Sequence, residues 1–293
     1  VSTLVPVDVL MWIDPRIAET IRPYRFRSAP QVKVQGKVHM KDPLKNDLKI
    51  NISAPGGMSY ELLGKTLPFG NTNAKVDVIA NKVVANIHEA ELFGGEVGVK
   101  AIVSLDPTNR VFSTNATLSR VNFAKLTNLY FDYDDSKGVI SGEYGFEARM
   151  GDEENMVGRG NLRIEDGNVF AIPVFGPFSA ILGSIIPGVV YNTARFATAD
   201  FTVANKKVST PNIEIAGTGF SMLGYGDIYF LNGGLDMSMR INAQGIPGFV
   251  FFPVSKLLEY HSDGTISDPH WRPKIIPKIQ LLPGGKAQKP SSR

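Results

Sequence analysis

Apolar and polar residues alternate strictly in segment after segment of this chain, and that periodicity limits the fold more than any other feature. Val32, Val34, Val38 and Met40 alternate with Gln31, Lys33, Gln35, Lys37 and His39. Leu48, Ile50 and Ile52 alternate with Lys49, Asn51 and Ser53, and Val76 and Val78 flank Asp77. The period returns late in the chain, with Phe201 and Val203 about Thr202 and Ile213 and Ile215 about Glu214. Leu235, Met237, Met239 and Ile241 then alternate with Asp236, Ser238, Arg240 and Asn242. A period of two sends successive side chains to opposite faces of a strand. Strands buried on both faces would read as unbroken Val/Ile runs, so the expectation is a mostly β protein with an antiparallel sheet, apolar on one face and wet on the other. Roughly a dozen strands joined by short turns, such as Asp106 to Arg110 and Asp166-Gly167, give a sheet about 60 Å long.

Helices are expected to be few and short. Asp14-Pro15 makes a good N-cap and first turn for a helix ending at Pro23, with Ile17, Ala18 and Ile21 on one face. Gly167 to Ala194 is a run of 28 residues without a charge. Its length suggests a membrane span, but Pro173, Pro177 and Pro187 cut it into pieces. In the middle piece Phe178, Ile181, Leu182, Ile185 and Ile186 fall on one helical face, opposite Ser179, Ala180, Gly183 and Ser184. Ten helical residues rise about 15 Å, half a bilayer core. A third helix is expected from Pro253, with Val254, Leu257 and Leu258 facing inward.

The 293 residues include no cysteine, which excludes a disulfide scaffold and Cys-ligated metal. The net charge of +3 is unevenly placed. Past Asp268 there is no acid, and Arg272, Lys274, Lys278, Lys286, Lys289 and Arg293 leave a net −3 on the remainder. Such a basic tail can touch anionic headgroups. Nucleic acid is not expected, because the cations are not interleaved with aromatics. Val1 to Leu10 does not resemble a signal peptide, so the expectation is a chain that begins inside a longer product or after a removed leader. Four regions follow: a lead-in with a short helix (1–28), a first set of β strands (29–157), a second β region with short helices (158–273) and a basic extended tail (274–293), the internal boundary lying near Gly151 to Gly160, where Asp152, Glu153 and Glu154 interrupt the strands.

Chemistry is thin. No nucleophile elbow, phosphate loop or dinucleotide fingerprint occurs, and no catalytic residue is assigned. His261, Asp263, Asp268 and His270 cluster around a turn but match no metal-ligand spacing, so no metal and no cofactor is expected. Asp132, Asp134, Ser136 and Glu143 occupy calcium-loop positions, yet Lys137 stands where the sharp turn needs glycine. The expectation is a hairpin loop turning at Gly138.

Several stretches carry a resemblance. They include Gly158 to Asn168, Pro173 to Pro187 with its apolar helix, Ala199 to Val203, Thr210 to Ile215 and Gly224 to Ile228. Gly233 to Ile241 and Ser267 to Pro273 complete the set, and Leu92 to Val97 and Leu118 to Leu126 look like repeated strand units upstream. Together they resemble the C-terminal region of the AsmA-like family, the bacterial envelope proteins of the AsmA, TamB and YhdP type. The resemblance implies a long curved sheet whose apolar groove holds or conducts phospholipid, of the bridge-like lipid transfer type, supporting outer-membrane biogenesis. It implies a non-enzymatic, membrane-associated protein of the periplasm or cell envelope, anchored through a segment absent from this chain. The implied partners are phospholipid, the bacterial inner or outer membrane and further envelope proteins. The groove candidates are then Val32, Val34, Val38, Leu48, Ile50, Ile52, Val76, Val78, Phe201, Val203, Ile213, Ile215, Leu235, Met237, Met239 and Ile241. Phe178, Ile181, Leu182, Ile185 and Ile186 would form a groove cap or membrane-contact helix. The alternative is a structural or protein-interaction β-sandwich of the envelope without lipid cargo.

Overall fold

The computed structural model describes residues 24–37, 39, 45–104, 106, 108, 110–185, 194–243 and 258–274. They form one long, open antiparallel sheet of seventeen strands with two short α-helices. In chain order the elements are β1 (Tyr24–Phe26), β2 (Gln31–Lys37), β3 (Asp47–Ala54), β4 (Met58–Leu62), β5 (Lys65–Phe69) and β6 (Thr72–Ile79). Next come β7 (Lys82–Leu92), β8 (Gly95–Ser104), β9 (Val111–Asn122), α1 (Phe123–Phe131), β10 (Val139–Arg149) and β11 (Asp152–Gly167). The last are α2 (Pro177–Ile185), β12 (Ala194–Ala204), β13 (Lys207–Gly217), β14 (Phe220–Tyr229), β15 (Gly234–Ala243), β16 (Glu259–Gly264) and β17 (Pro269–Pro273).

From β6 onward each strand pairs with the next, the simplest up-and-down order. Two-residue tips in left-handed backbone make this possible, as at Leu63-Gly64, Phe93-Gly94 and Asn205-Lys206. The first strands are long ones broken by a bend. β1 pairs with β4 in the same register that β2 keeps with β3, and β4–β5 extends the β3–β6 ladder beyond Pro55-Gly56-Gly57 and Gly70-Asn71. Gly57 lies at φ +81°, and a Cβ there would sit 2.3 Å from the Phe69 carbonyl oxygen, so the bend requires glycine. Register shifts continue the line at His88-Glu89 in β7 and Ser119-Arg120 in β9, where Glu89 and Arg120 both have positive φ. Bulges of this kind bend a strand and increase its twist, which gives the sheet its curvature.

One face of the sheet is apolar and carries two cores. The smaller contains Leu48, Ile50, Val78, Val83 and Val103. The larger gathers β4 and β5 (Met58, Leu67, Phe69), the start of α1 (Phe123) and the C-terminal strands (Ile213, Ile215, Met222, Met237, Met239, Ile241). It is closed by the segment after β11. Two 3-10 turns, Val169–Ala171 and Pro173–Phe175, lead into α2, whose Phe178 and Leu182 are fully buried. Phe178 packs edge-on against Tyr260 and Trp271, and the Trp271 indole N–H donates to the Val174 carbonyl at 2.8 Å.

Several sequence expectations need correction. Leu118 to Leu126 is not one strand unit: β9 stops at Asn122, whose side chain accepts from the Lys125 N–H at 3.0 Å and caps α1. The Asp132–Gly138 stretch is therefore not a hairpin loop. It joins α1 to β10, and Asp132 closes the helix in left-handed backbone. Asp152 to Glu154 do not interrupt a strand but open β11, so the sheet runs unbroken through position 157. Leu258 packs on the larger core just before β16, while Pro253 to Leu257 lie outside the described residues, as do the expected helix before Pro23 and residues 275–293 of the tail.

Candidate functional site

Register alone places the sequence-derived groove residues on one face. Val32 faces Ile52, Val34 faces Ile50, which faces Val76, and Gly36 faces Leu48, which faces Val78. On the far strands Ile215 faces Met222 and Met222 faces Ile241. The face is not uniformly open. Ile213, Ile215, Leu235, Met237, Met239 and Ile241 lie in the larger core and are at most 6% exposed. Leu48, Ile50 and Val78 lie in the smaller one, with Val32, Ile52 and Val76 at its margin and Val34 exposed. Val38, Ile186 and the Ile185 side chain lie outside the described residues. Ile181 is half-buried against the larger core. The apolar side of α2 thus covers the C-terminal half of the face, and Ser179 and Ala180 look outward.

Between the two cores the face stays half-buried. Among the described residues, Tyr144, Phe146, Phe201, Val203 and Val208 belong to neither core. They adjoin across strands: Phe146 faces Gly158, Gly158 faces Val203 and Val203 faces Val208, while Tyr144 faces Gly160, which faces Phe201. Phe146 meets Phe112 edge-on at 5.9 Å and stacks parallel to Tyr144 at 6.3 Å between ring centroids. The glycines give the aromatic rings their room, since a Cβ on Gly160 would sit 2.5 Å from Phe201 Cζ. Phe201 and Val203 were legible as groove residues. Phe112, Tyr144, Phe146 and Val208 were not singled out, although Tyr144-Gly-Phe146-Glu-Ala148 carries the same period of two.

One end of this open strip is bounded by tyrosines. The Tyr24 and Tyr60 rings lie 4.9 Å apart, and the Tyr130 hydroxyl on α1 donates to the Leu62 carbonyl at 3.2 Å, tying the β4–β5 hairpin to the helix. Burial, helped by Tyr60, pushes the Tyr24 phenol up to about 12. Burial raises Tyr144 as well, with Tyr60 contributing, and raises Tyr130 with Tyr144 contributing. The Tyr24, Tyr130 and Tyr144 phenols therefore stay neutral at this end of the strip.

The opposite face is polar, and its C-terminal strands carry several ion pairs. Lys207 donates to Asp227 at 2.6 Å and Lys274 to Glu259 at 2.8 Å. Each hydrogen bond holds its carboxylate below the usual range. His270 lies 3.8 Å from Asp263 and 3.4 Å from Asp268, and Arg272 lies 3.8 Å from Asp263. The His/Asp cluster around the Gly264 turn is thus a set of close side-chain contacts that includes Arg272. No group of three or more metal-ligating side chains converges among the described residues. No described helix is long and apolar enough to cross a membrane. No family model, curated protein or solved structure matches this chain.

Proposed function

We propose that the chain is a lipid-holding segment of the cell envelope, in which acyl chains lie along the strip between the two cores on the apolar face. The observation that carries this reading is the half-buried row of Tyr144, Phe146, Phe201, Val203 and Val208, side chains that are members of neither core. Each methylene removed from water on such a surface is worth about 0.8 kcal/mol, so a continuous strip retains lipid without a specific headgroup pocket. The flanking cores keep the sheet folded when the strip is empty. Lipid is cargo here, and the chain has no chemical step to perform. The resemblance to AsmA-like proteins points the same way, to phospholipid as cargo and the inner or outer membrane as its source or destination.

The test is lipid binding by a matched pair. Phe201→Glu puts a carboxylate in the strip, and Thr202→Glu puts one on the other face. Phe201→Glu should lose binding of a fluorescent phosphatidylglycerol and co-purified lipid in native mass spectrometry, with little change in melting temperature. Thr202→Glu should retain both. Wild-type chain that carries no lipid and takes none from vesicles would favour the lipid-free envelope domain instead.

A further inference from the structure

The polar face carries an in-register row. Following partners from strand to strand, Lys33 lies beside Asn51, Asn51 beside Lys75, Lys75 beside Asn86, Asn86 beside Lys100 and Lys100 beside Asn115. The row continues through Gly145 to Arg159 on β11. Neighbouring strands are about 4.8 Å apart, so Lys33, Lys75 and Lys100, each two strands from the next, recur at about 9.6 Å. Lys75 lies 3.6 Å from Asp77, while Lys33, Lys100 and Arg159 have no ion-pair partner among the described residues. Beyond Arg159 the same row turns acidic, through Asp227 and Asp236.

Two depressions open along this half of the face. One of about 470 Å³ is walled by Gln31, Lys33, Ser53, Asn73, Lys75 and His88. The other, about 1010 Å³, sets Arg159 among Glu143, Glu147 and Asp200, with Asn115 and Asn161 in its walls, and lies over Gly145. On every strand segment lining them, the outermost residues belong to the polar face, so both open on that side. The floor dips at Gly145, where an added Cβ would come within 2.5 Å of Asn115 Oδ1.

We propose that this trough binds an extended acidic polysaccharide carrying one anionic group on every second sugar. Lys33, Lys75 and Lys100 at alternate strands meet the anions, and the amides beside them, Asn51, Asn86 and Asn115, pair with sugar hydroxyls as donor and acceptor at once. The strand spacing approximates the advance per sugar of an extended chain, so polymer and row stay in phase. A nucleic acid fits worse. Its charge recurs at every nucleotide rather than at every second unit, and this half of the face has no Phe, Tyr or Trp in the row on which bases could stack. The proposal concerns the face opposite the lipid strip and is independent of it.

The test titrates the full chain at about 0.15 M salt with hyaluronan octasaccharide, which bears one carboxylate per disaccharide. Comparison ligands are a neutral chitin oligosaccharide, single-stranded DNA of equal length and phosphatidylglycerol vesicles. Hyaluronan should bind most tightly. Lys33→Gln and Lys100→Gln should each weaken it about fivefold, the scale of one exposed ion pair, with an unchanged melting temperature. Gly145→Val changes no charge, keeps a good strand residue and fills the dip, and it should weaken binding at least as much. Tighter binding to DNA or vesicles, equal binding of the neutral oligosaccharide, or a Gly145→Val protein that binds hyaluronan like wild type would each overturn the proposal.

Discussion

At the scale of single residues, burial separates side chains that the alternation makes equivalent. Met237 and Phe201 both occupy apolar positions, yet Met237 is 2% exposed under α2 and its neighbours while Phe201 is half-buried. A carboxylate at Met237 has neither solvent nor partner, so Met237→Glu should cost several kcal/mol and unfold the C-terminal strands in a thermal melt. Ser238, on the polar face, is itself only 7% exposed, its hydroxyl 3.4 Å from His261 Nδ1. Tyr24 gives a pH signature. Its phenol ionises near 10 when unfolded and near 12 when folded, so the folded state binds more protons between those values. Its contribution to stability is fully present below pH 10 and is lost as pH rises through that window. Tyr24→Phe should make the alkaline decline of melting temperature shallower, because one protected phenol is gone.

At the scale of elements, α2 and the β16–β17 hairpin hold each other. Leu182 is fully buried beneath the helix, and Leu182→Ala should destabilise by about 2–5 kcal/mol in denaturant unfolding. That places Leu182 in the core rather than at a headgroup layer, and the outward Ser179 and Ala180 become the positions to probe for membrane contact. Glu259 is tied to Lys274 just past β17 and lies 3.7 Å from Arg240 on β15. The Lys274 hydrogen bond lowers its pKa, so its contribution is complete above the ordinary glutamate value and is lost as pH falls through the lower folded value. In Glu259→Gln the acid-side fall in melting temperature should be smaller than in wild type.

At the scale of the whole molecule, two cores on one sheet imply two levels of local stability. The larger core joins strands from both ends of the chain, whereas the smaller depends on β3, β6, β7 and β8 and a few marginal side chains. Amide exchange should therefore be slowest in β12–β15 and faster in β2 and β3, the free-edge side of the ladder. Val78→Ala, at a residue 1% exposed, should accelerate exchange in β3 and β6 and leave β13–β15 unchanged. Uniform acceleration across the sheet would mean that the two cores unfold as one.

Side-chain period is a local property, and the sequence by itself determined what depends on it: the antiparallel sheet, its apolar face and the short amphipathic helix after Pro177. Val32, Ile50, Phe201 and Met237 were assigned to one face before any strand was paired, and the ladders put them there. Helix α1 was missed because Leu118 to Asn122 begins as a strand, and the change of period at Phe123, Leu126 and Leu129 spans only nine residues. Which part of the apolar face is covered was decided by tertiary structure alone. Covering it requires Trp271 to meet Val174 across 97 residues and Tyr130 to meet Leu62 across 68, contacts that no periodicity encodes. The polar row from Lys33 to Arg159 likewise exists only in register: eight residues on eight strands become neighbours because each hairpin tip sets the offset of the next strand.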